Sequence, residues 1–595
     1  MVALADGPVK EAAVLGPCDV AVSRDGRTLY AACSDAGSVL WVRLPGGDVV
    51  RRVKMPAAPS GLALTPDGSK LIVTCAASKS TVAVLEADSG KLLNTIAAGH
   101  TAMSPVVSSN GRRLYVCNRF DGDVSVIDLG RGRLLARVAA EREPIAAALT
   151  PDGRTLLVAN HLPKTRTDKT FLGAVAPVVT VVDTRTRRTS AIELPHGANG
   201  LQDLAISPDG RDAVVTHLFS NFEELPFRVD MGWINTNVVS VIDVRQQRVI
   251  GTIGLDENDL GAGNPHGVAF TPDGKSVCVG VAGTHELFVI DTAELLGDFA
   301  RRTMQPMMRV WPIYLSLGRS LWQRHALPGK GPRGLAAAGS RVYVAEYFSD
   351  AVAAVDLHPW GEVSTCRLPL GPEPQMTPQR RGELLFHDAT ICYQQWLSCA
   401  SCHPDGRADA LNWDLMNDGT GNSKNTKSML LAHRTPPSMA EGVRASAEVA
   451  VRAGLAHILF ADRPEDEAAA LDAYLTSLRP VPSPRLVDGR LSPAAERGRQ
   501  LFSSDRIGCQ RCHPPPLYTD LRAHDVGTVR PNERKGRFDT PTLAEVWRTA
   551  PYLHDGRYVT VRELLADGKH GLRPGPSGEL SSGELDDLVE FVLSL

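Results

Sequence analysis

The feature that most constrains this chain is a hairpin that recurs through its first 370 residues. GLALTPDGSKLIVTC, ALTPDGRTLLVAN, LAISPDGRDAVVTH and GVAFTPDGKSVCVGV share one design: an apolar strand, Pro-Asp-Gly, then a second strand rich in Val and Leu. Asp-Gly supplies the turn that closes a hairpin. Matching glycines fall at Gly26, Gly68, Gly111, Gly153, Gly210, Gly274 and, more weakly, Gly339. A third strand ends in Asp in several copies, as at Asp128, Asp183, Asp243, Asp291 and Asp356, and a shorter fourth strand follows. Seven such units predict a seven-bladed β-propeller over residues 1–372, because closing the ring buries both faces of every sheet. VKEAAVLG is expected to close the ring against the last blade near VSTCRLPL. The LYVCN and LLVAN segments resemble the YVTN family of propellers, which implies a fold and no particular activity.

Three insertions break the period, at 162–176, 218–237 and 292–330. The last contains WPIYLSLGRSLWQRH, which reads as a short amphipathic helix. His100, His161, His196, His217 and His266 lie near strand ends; turn and hydrogen-bonding roles are expected for them ahead of a metal site. A net charge of −3 over 595 residues gives no footprint for nucleic acid. No apolar run reaches transmembrane length.

From about Gln375 the strand repeats stop and helical patterns begin. Two pentapeptides carry the chemistry here: Cys399-Ala-Ser-Cys402-His403 and Cys509-Gln-Arg-Cys512-His513. CxxCH is the attachment signature of a c-type haem, in which two thiols add to the porphyrin vinyls and the histidine ligates the iron. The competing reading is one zinc held by four thiolates. Of the 11 cysteines, Cys18, Cys33, Cys75, Cys117, Cys278, Cys366 and Cys392 remain, an odd number, so at least one thiol is unpaired. Covalent haem attachment implies a periplasmic or extracellular location, although MVALADGPVK lacks the apolar core of an export signal.

RRGELLFH leads to the first CxxCH and RGRQLF to the second. DEAAALDAYLTSL and GELDDLVEFVLSL are expected as closing helices, giving two cytochrome-like halves at 373–484 and 485–595. RRGELLFHD, SCASCHPDGRAD, the Asp520…His524-Asp-Val-Gly527 segment and Thr549-Ala-Pro-Tyr-Leu-His554-Asp-Gly556 resemble the bacterial dihaem cytochrome c peroxidase family and its MauG-like branch. The resemblance implies a peroxide-reactive haem on His403 and a six-coordinate electron-relay haem on His513. It also implies organising roles for His524 and His554, and a calcium ion between the halves bound by the Thr549 and Pro551 carbonyls. The family's asparagine ligand is not evident in HRTPPS. Family members place Met or Tyr as sixth ligand of the relay haem; this chain has VRELLADGKHGL, so His570 is the candidate. Glu448, then Glu441, are candidates for the distal acid–base group. His433 and His457 are candidates for a resting-state ligand of the first haem, and Trp547 for an inter-haem bridge.

The expected function is hydrogen-peroxide-dependent oxidoreduction. Electrons come from a small cytochrome, a cupredoxin, or an oxidised organic or protein substrate, and the propeller serves as a docking or substrate-binding platform or as a wall of the site. The alternatives are a non-enzymatic dihaem electron carrier and a surface-binding protein dominated by its propeller.

Overall fold

A computed structural model of the chain describes residues 14–223, 234–297, 321–358, 363–415, 421–530, 533, 536–572 and 579–595. Seven four-stranded antiparallel sheets follow one another at 17–54, 58–97, 102–139, 144–193, 198–254, 265–326 and 332–369. We call these blades 1–7. In each, the strands run in chain order outward from the ring axis.

The turn chemistry repeats. Thr65, Thr150, Ser207 and Thr271 donate their hydroxyls to Asp67, Asp152, Asp209 and Asp273 at 2.5–2.8 Å. Each carboxylate also accepts the amide two residues on. The glycine that follows each Asp takes φ of 71–74°, which a side chain would resist. Blades 1 and 3 use Ser23–Asp25 and Ser108–Asn110 in the same way.

Adjacent blades share cores. Tyr30, Val39 and Trp41 of blade 1 pack on Leu71, Val73 and Leu85 of blade 2, and Trp41 donates Nε1 to the Ala87 carbonyl at 2.6 Å. Cys33, Cys75 and Cys117 are fully buried among such cores, and all eleven cysteines are unpaired. The ring is held shut where Leu15 and Gly16 donate their amides to the Asp350 carboxylate at 2.8 and 2.9 Å. Residues 9–13 of the expected closing segment lie outside the described residues. The expected helix in WPIYLSLGRSLWQRH is corrected at its end. Trp322–Ala326 is the outermost strand of blade 6, because it pairs with Glu286–Asp291; residues 311–320 lie outside the described ones.

The two helical halves repeat one packing. Helix α1 (Pro378–His387) crosses α2 (Glu465–Ser477), and α3 (Pro493–Ser503) crosses α4 (Ser582–Val592). At each crossing a glycine meets a backbone carbonyl. A Cβ on Gly382 would lie 1.8 Å from Ala470 O, and one on Gly498 would lie 1.9 Å from Asp587 O. Phe386 then meets Tyr474 at 5.3 Å and Phe502 meets Phe591 at 5.2 Å between ring centroids. Gly382→Ala is therefore expected to destabilise the first half by about 3 kcal/mol through overpacking. Gly454→Ala, in an open helical position, should be neutral or stabilising. Denaturant unfolding followed by circular dichroism at the helical band checks both, and equal midpoints would refute the crossing argument.

The helical module sits on one end of the ring, against the loops joining second to third strands and against the blade-to-blade connections. Arg119 bridges Glu143 at 2.8 Å and Asp405 at 2.7 Å, while Arg548 reaches Asp405 at 3.0 Å and covers the Phe120 ring at 4.5 Å. Arg142 donates to the Ala550 carbonyl at 2.8 Å and to the Arg548 carbonyl at 2.6 Å. Arg380 joins Asp35, and His285 approaches Asp388 at 3.3 Å.

Candidate functional site

Each CxxCH forms a short turn of helix, Cys399–Cys402 closing at His403 and Cys509–Arg511 closing at Cys512 just before His513. His403 Nδ1 pairs with the Arg407 carbonyl at 2.9 Å, and His513 Nδ1 pairs with the Tyr518 carbonyl at 2.9 Å. A carbonyl on Nδ1 fixes the proton there and leaves the Nε2 lone pair for a metal. Burial lowers both imidazoles below the usual histidine range, which keeps them neutral.

The two cysteine pairs lie in separate cores. Cys399 and Cys402 pack with Phe386, Leu397, Leu411 and Trp413; Cys509 packs with Phe502, Ile507 and Phe591. Burial pushes the Cys399 thiol up to about 12 and the Cys509 thiol to about 11. Thiols held in two separate cores do not converge on one four-thiolate zinc site. Among the described residues the metal-like cluster is Cys512, Asp520 and His524 instead. Apolar surroundings, two thiols and an anchored imidazole at each centre fit a c-type haem. Buried polar atoms without partners in the module, including Trp547 Nε1, His433 Nδ1, His570 Nδ1 and both Glu441 oxygens, fit it as well.

The other candidate residues fall as follows. His570 is half-buried, and desolvation together with the neighbouring His513 holds its imidazole down to about 4. Glu441 is 6% exposed, with Lys424 Nζ at 3.6 Å. Lys424 also reaches Glu533 at 2.9 Å, and Glu533 lies 2.9 Å from His554 Nε2. Burial alone would raise the Glu533 carboxyl, but His554 and Lys424 hold it down to about 2. Phe538 stacks on His554 at 3.7 Å. Glu448 is exposed in the first turn of the helix Ala447–His457, and His457 is exposed at its end. His433 gives Nε2 to Asp472 at 2.9 Å. His524 pairs with Asp520 at 2.7 Å. The Trp547 ring lies on the propeller, 5.0 Å from Phe120 and 6.3 Å from His100.

Asn425, Val175, Phe222, Ile234 and Asn235, which sequence reasoning passed over, and the propeller histidines, which it expected in hydrogen-bonding roles, complete the picture. Asn425 directs its amide at the Pro551 carbonyl, with Oδ1 unpartnered, so an asparagine does stand beside that carbonyl. The insertions of blades 4 and 5 reach the first centre. Val175, Phe222 and Ile234 share its core, and Asn235 Nδ2 comes within 3.9 Å of Cys402 Sγ. In the propeller, His217 has both ring nitrogens bonded, to the Leu218 carbonyl and the Ser240 hydroxyl. His100 bonds Thr101 and the Pro482 carbonyl, and His161 bonds the Leu201 carbonyl.

Comparison with known proteins agrees with both parts. The cytochrome D1 heme domain family matches residues 66–193, within blades 2–4. Hydrazine synthase subunit gamma of Kuenenia stuttgartiensis is 30% identical over 271 residues, which cover 36% of this chain and 77% of that protein. The methylamine utilization protein MauG of Methylorubrum extorquens is 24% identical over 286 residues, covering 37% of this chain and 79% of MauG. A solved chain of Kuenenia stuttgartiensis hydrazine synthase superposes with a TM-score of 0.53 at 25% identity, over 62% of this chain and 99% of that one. That share exceeds the helical module, so it includes blades.

Proposed function

Because the chain belongs to the dihaem cytochrome c peroxidase and MauG-like family, with a seven-bladed propeller fused ahead of the haem module, and is a haem oxidoreductase, we propose that it binds two thioether-linked haems and reduces hydrogen peroxide at the first. The observation that carries this reading is that each CxxCH sets its thiols in an apolar core beside a histidine whose Nδ1 is anchored on a backbone carbonyl, which leaves Nε2 for an iron. His570, a neighbour of His513, and His433, whose Nε2 is tied to Asp472, each keep an unpartnered Nδ1.

A haem bound on His403 supplies redox chemistry at iron; the chain does the rest. Cleaving the O–O bond requires a proton to leave one oxygen and arrive at the other. Glu441, buried and without hydrogen bonds, is assigned that transfer in place of the exposed Glu448. Lys424, Glu533 and His554 follow it in a chain of contacts at 3.6, 2.9 and 2.9 Å. The balance is peroxide plus two protons and two electrons giving two waters. The electrons come from a small cytochrome, a cupredoxin, or an organic or protein substrate, through the second centre. Calcium, if bound, would take Asn425 Oδ1 and the Pro551 carbonyl as ligands, which equilibrium dialysis tests. Covalent haem attachment, as proposed, supports a periplasmic or extracellular location; among the described residues no helix is long and apolar enough to cross a membrane.

Stopped-flow mixing of the oxidised protein with stoichiometric peroxide tests the reading. The high-spin ferric band is expected to be lost, and Glu441→Gln to slow that loss by about 10²–10³ at unchanged haem content. Glu448→Gln should match the wild type. Unchanged spectra on adding peroxide would favour the electron-carrier alternative. The likeness to hydrazine synthase subunit gamma favours a second reading, in which the molecule turned over carries nitrogen. Turnover with hydroxylamine or hydrazine but not peroxide would select it.

A further inference from the structure

Resting on the reading of the first centre as a haem site, we propose that the blade 4 insertion and the described ends of the blade 5 insertion (Phe222 and 234–237) seal the thioether edge of that haem against macromolecules. The propeller of this chain thereby enforces the electron entry at the second centre that the family's division of labour already implies, and admits only small molecules to the first.

The two centres differ in what covers their cysteines. Around Cys399 and Cys402, the propeller residues Val175, Phe222 and Ile234 are 2%, 4% and 2% exposed and belong to the same apolar core as Leu397, Leu411 and Trp413. Phe171 packs against that core from the rim. Asn235, fully buried, lies over the Cys402 sulfur. Around Cys509 the core is drawn from residues 491–595, with no propeller residue among those described. Cys512 there is flanked by exposed Arg511, Pro515 and Pro516.

The wall is fastened at both feet. In the first insertion, Thr167 donates its hydroxyl to Asn412 Oδ1 at 2.9 Å and its amide to the Gly556 carbonyl at 3.2 Å. Asn412 returns a bond to the Thr167 carbonyl at 2.9 Å. Arg530 spans from Asp168 at 3.7 Å to Asp555 at 2.8 Å, tying the same insertion to the second half. From the second insertion, Asn237 donates Nδ2 to the Trp396 carbonyl at 3.0 Å, just before the first CxxCH. These are buried, paired contacts, so displacing the wall would strand polar groups. Electron tunnelling falls steeply with distance. A protein partner must therefore approach a porphyrin edge, and at the first centre blades 4 and 5 stand in the way.

The test uses the full-length holoprotein mixed with a reduced small c-type cytochrome. The high-spin and low-spin bands report the first and second haems separately. In the wild type, reduction of the first haem should follow that of the second, at a rate that levels off as cytochrome concentration rises. In Phe171→Ala/Phe222→Ala the plateau should be lost, and the rate should rise in proportion to cytochrome. Dithionite, being small, should reduce both proteins alike. Direct, concentration-proportional reduction of the first haem in the wild type would overturn the proposal, as would a plateau that survives in the variant. If the double variant fails to load haem, Phe171→Ala at the rim carries the same comparison. Failure of the peroxide reaction would leave these reduction kinetics readable, so the two readings fall separately.

Discussion

Glu545→Leu is expected to cost the helical module about 3–5 kcal/mol, the usual penalty for stranding one partner of a buried ion pair. Arg407 donates Nε and Nη2 to the two Glu545 oxygens at 2.9 and 2.7 Å. The arginine side chain is 7% exposed and the carboxylate 0%. Glu545 also accepts the Val481 amide at 2.5 Å, at the connector between the halves. The same Arg407 offers its carbonyl to His403 Nδ1, so the pair ties the second half to the histidine of the first CxxCH. The single substitution should lower the unfolding midpoint and disturb the first haem's spectrum. Arg407→Met/Glu545→Leu should recover most of the loss, since apolar replacement of both partners removes the stranded charge. Denaturant titration read at the haem band measures both. A Glu545→Leu protein within 1 kcal/mol of the wild type would sink the idea, because surface-like pairs have that value.

The second large effect is electronic. His570→Met is expected to keep the second haem low-spin while raising its potential by about 0.1 V or more, within the ~0.8 V that axial ligands span. Thioether sulfur favours the ferrous state over imidazole. His570→Gly should instead give a high-spin second haem that binds added imidazole. The motive is geometric: His570 is half-buried, its Nδ1 is enclosed without a partner, and its ring neighbours His513. Spectroelectrochemistry of the two variants checks the assignment. Spectra and potentials identical to the wild type would remove His570 as a ligand.

What could be read from the sequence follows the range of the interactions concerned. The blades are local objects. Thr65-Pro-Asp67-Gly68 closes its own hairpin, so its pattern announces itself within a few residues. Gly382 and Gly498 were legible as parts of RRGELLFH and RGRQLF, yet their purpose appears only when α2 and α4 cross them. The roles of Phe222 and Asn235 were not legible, because their partner, Cys402, lies about 170 residues away. Glu441 and Glu448 are seven residues apart on either side of a helix start. Both suit an acid–base role by chemistry, and burial alone separates them. Asn425 sits in Lys-Asn-Thr-Lys, without the Pro that would have marked it, and only its approach to the Pro551 carbonyl identifies it. Trp547, read as a bridge between haems, rests on Phe120 and His100, aromatic partners supplied by blade 3 and the connection leading into it.

The central claim is that this chain carries two covalently linked haems that differ in access. Low-temperature electron paramagnetic resonance of the oxidised protein, matured in a host that attaches haem, tests it most directly when combined with a pyridine haemochrome assay. The account predicts two thioether-linked haems per chain, one high-spin ferric and lost on adding peroxide, the other low-spin with two imidazole ligands. Two low-spin signals indifferent to peroxide, or protein without thioether-linked haem, would contradict it.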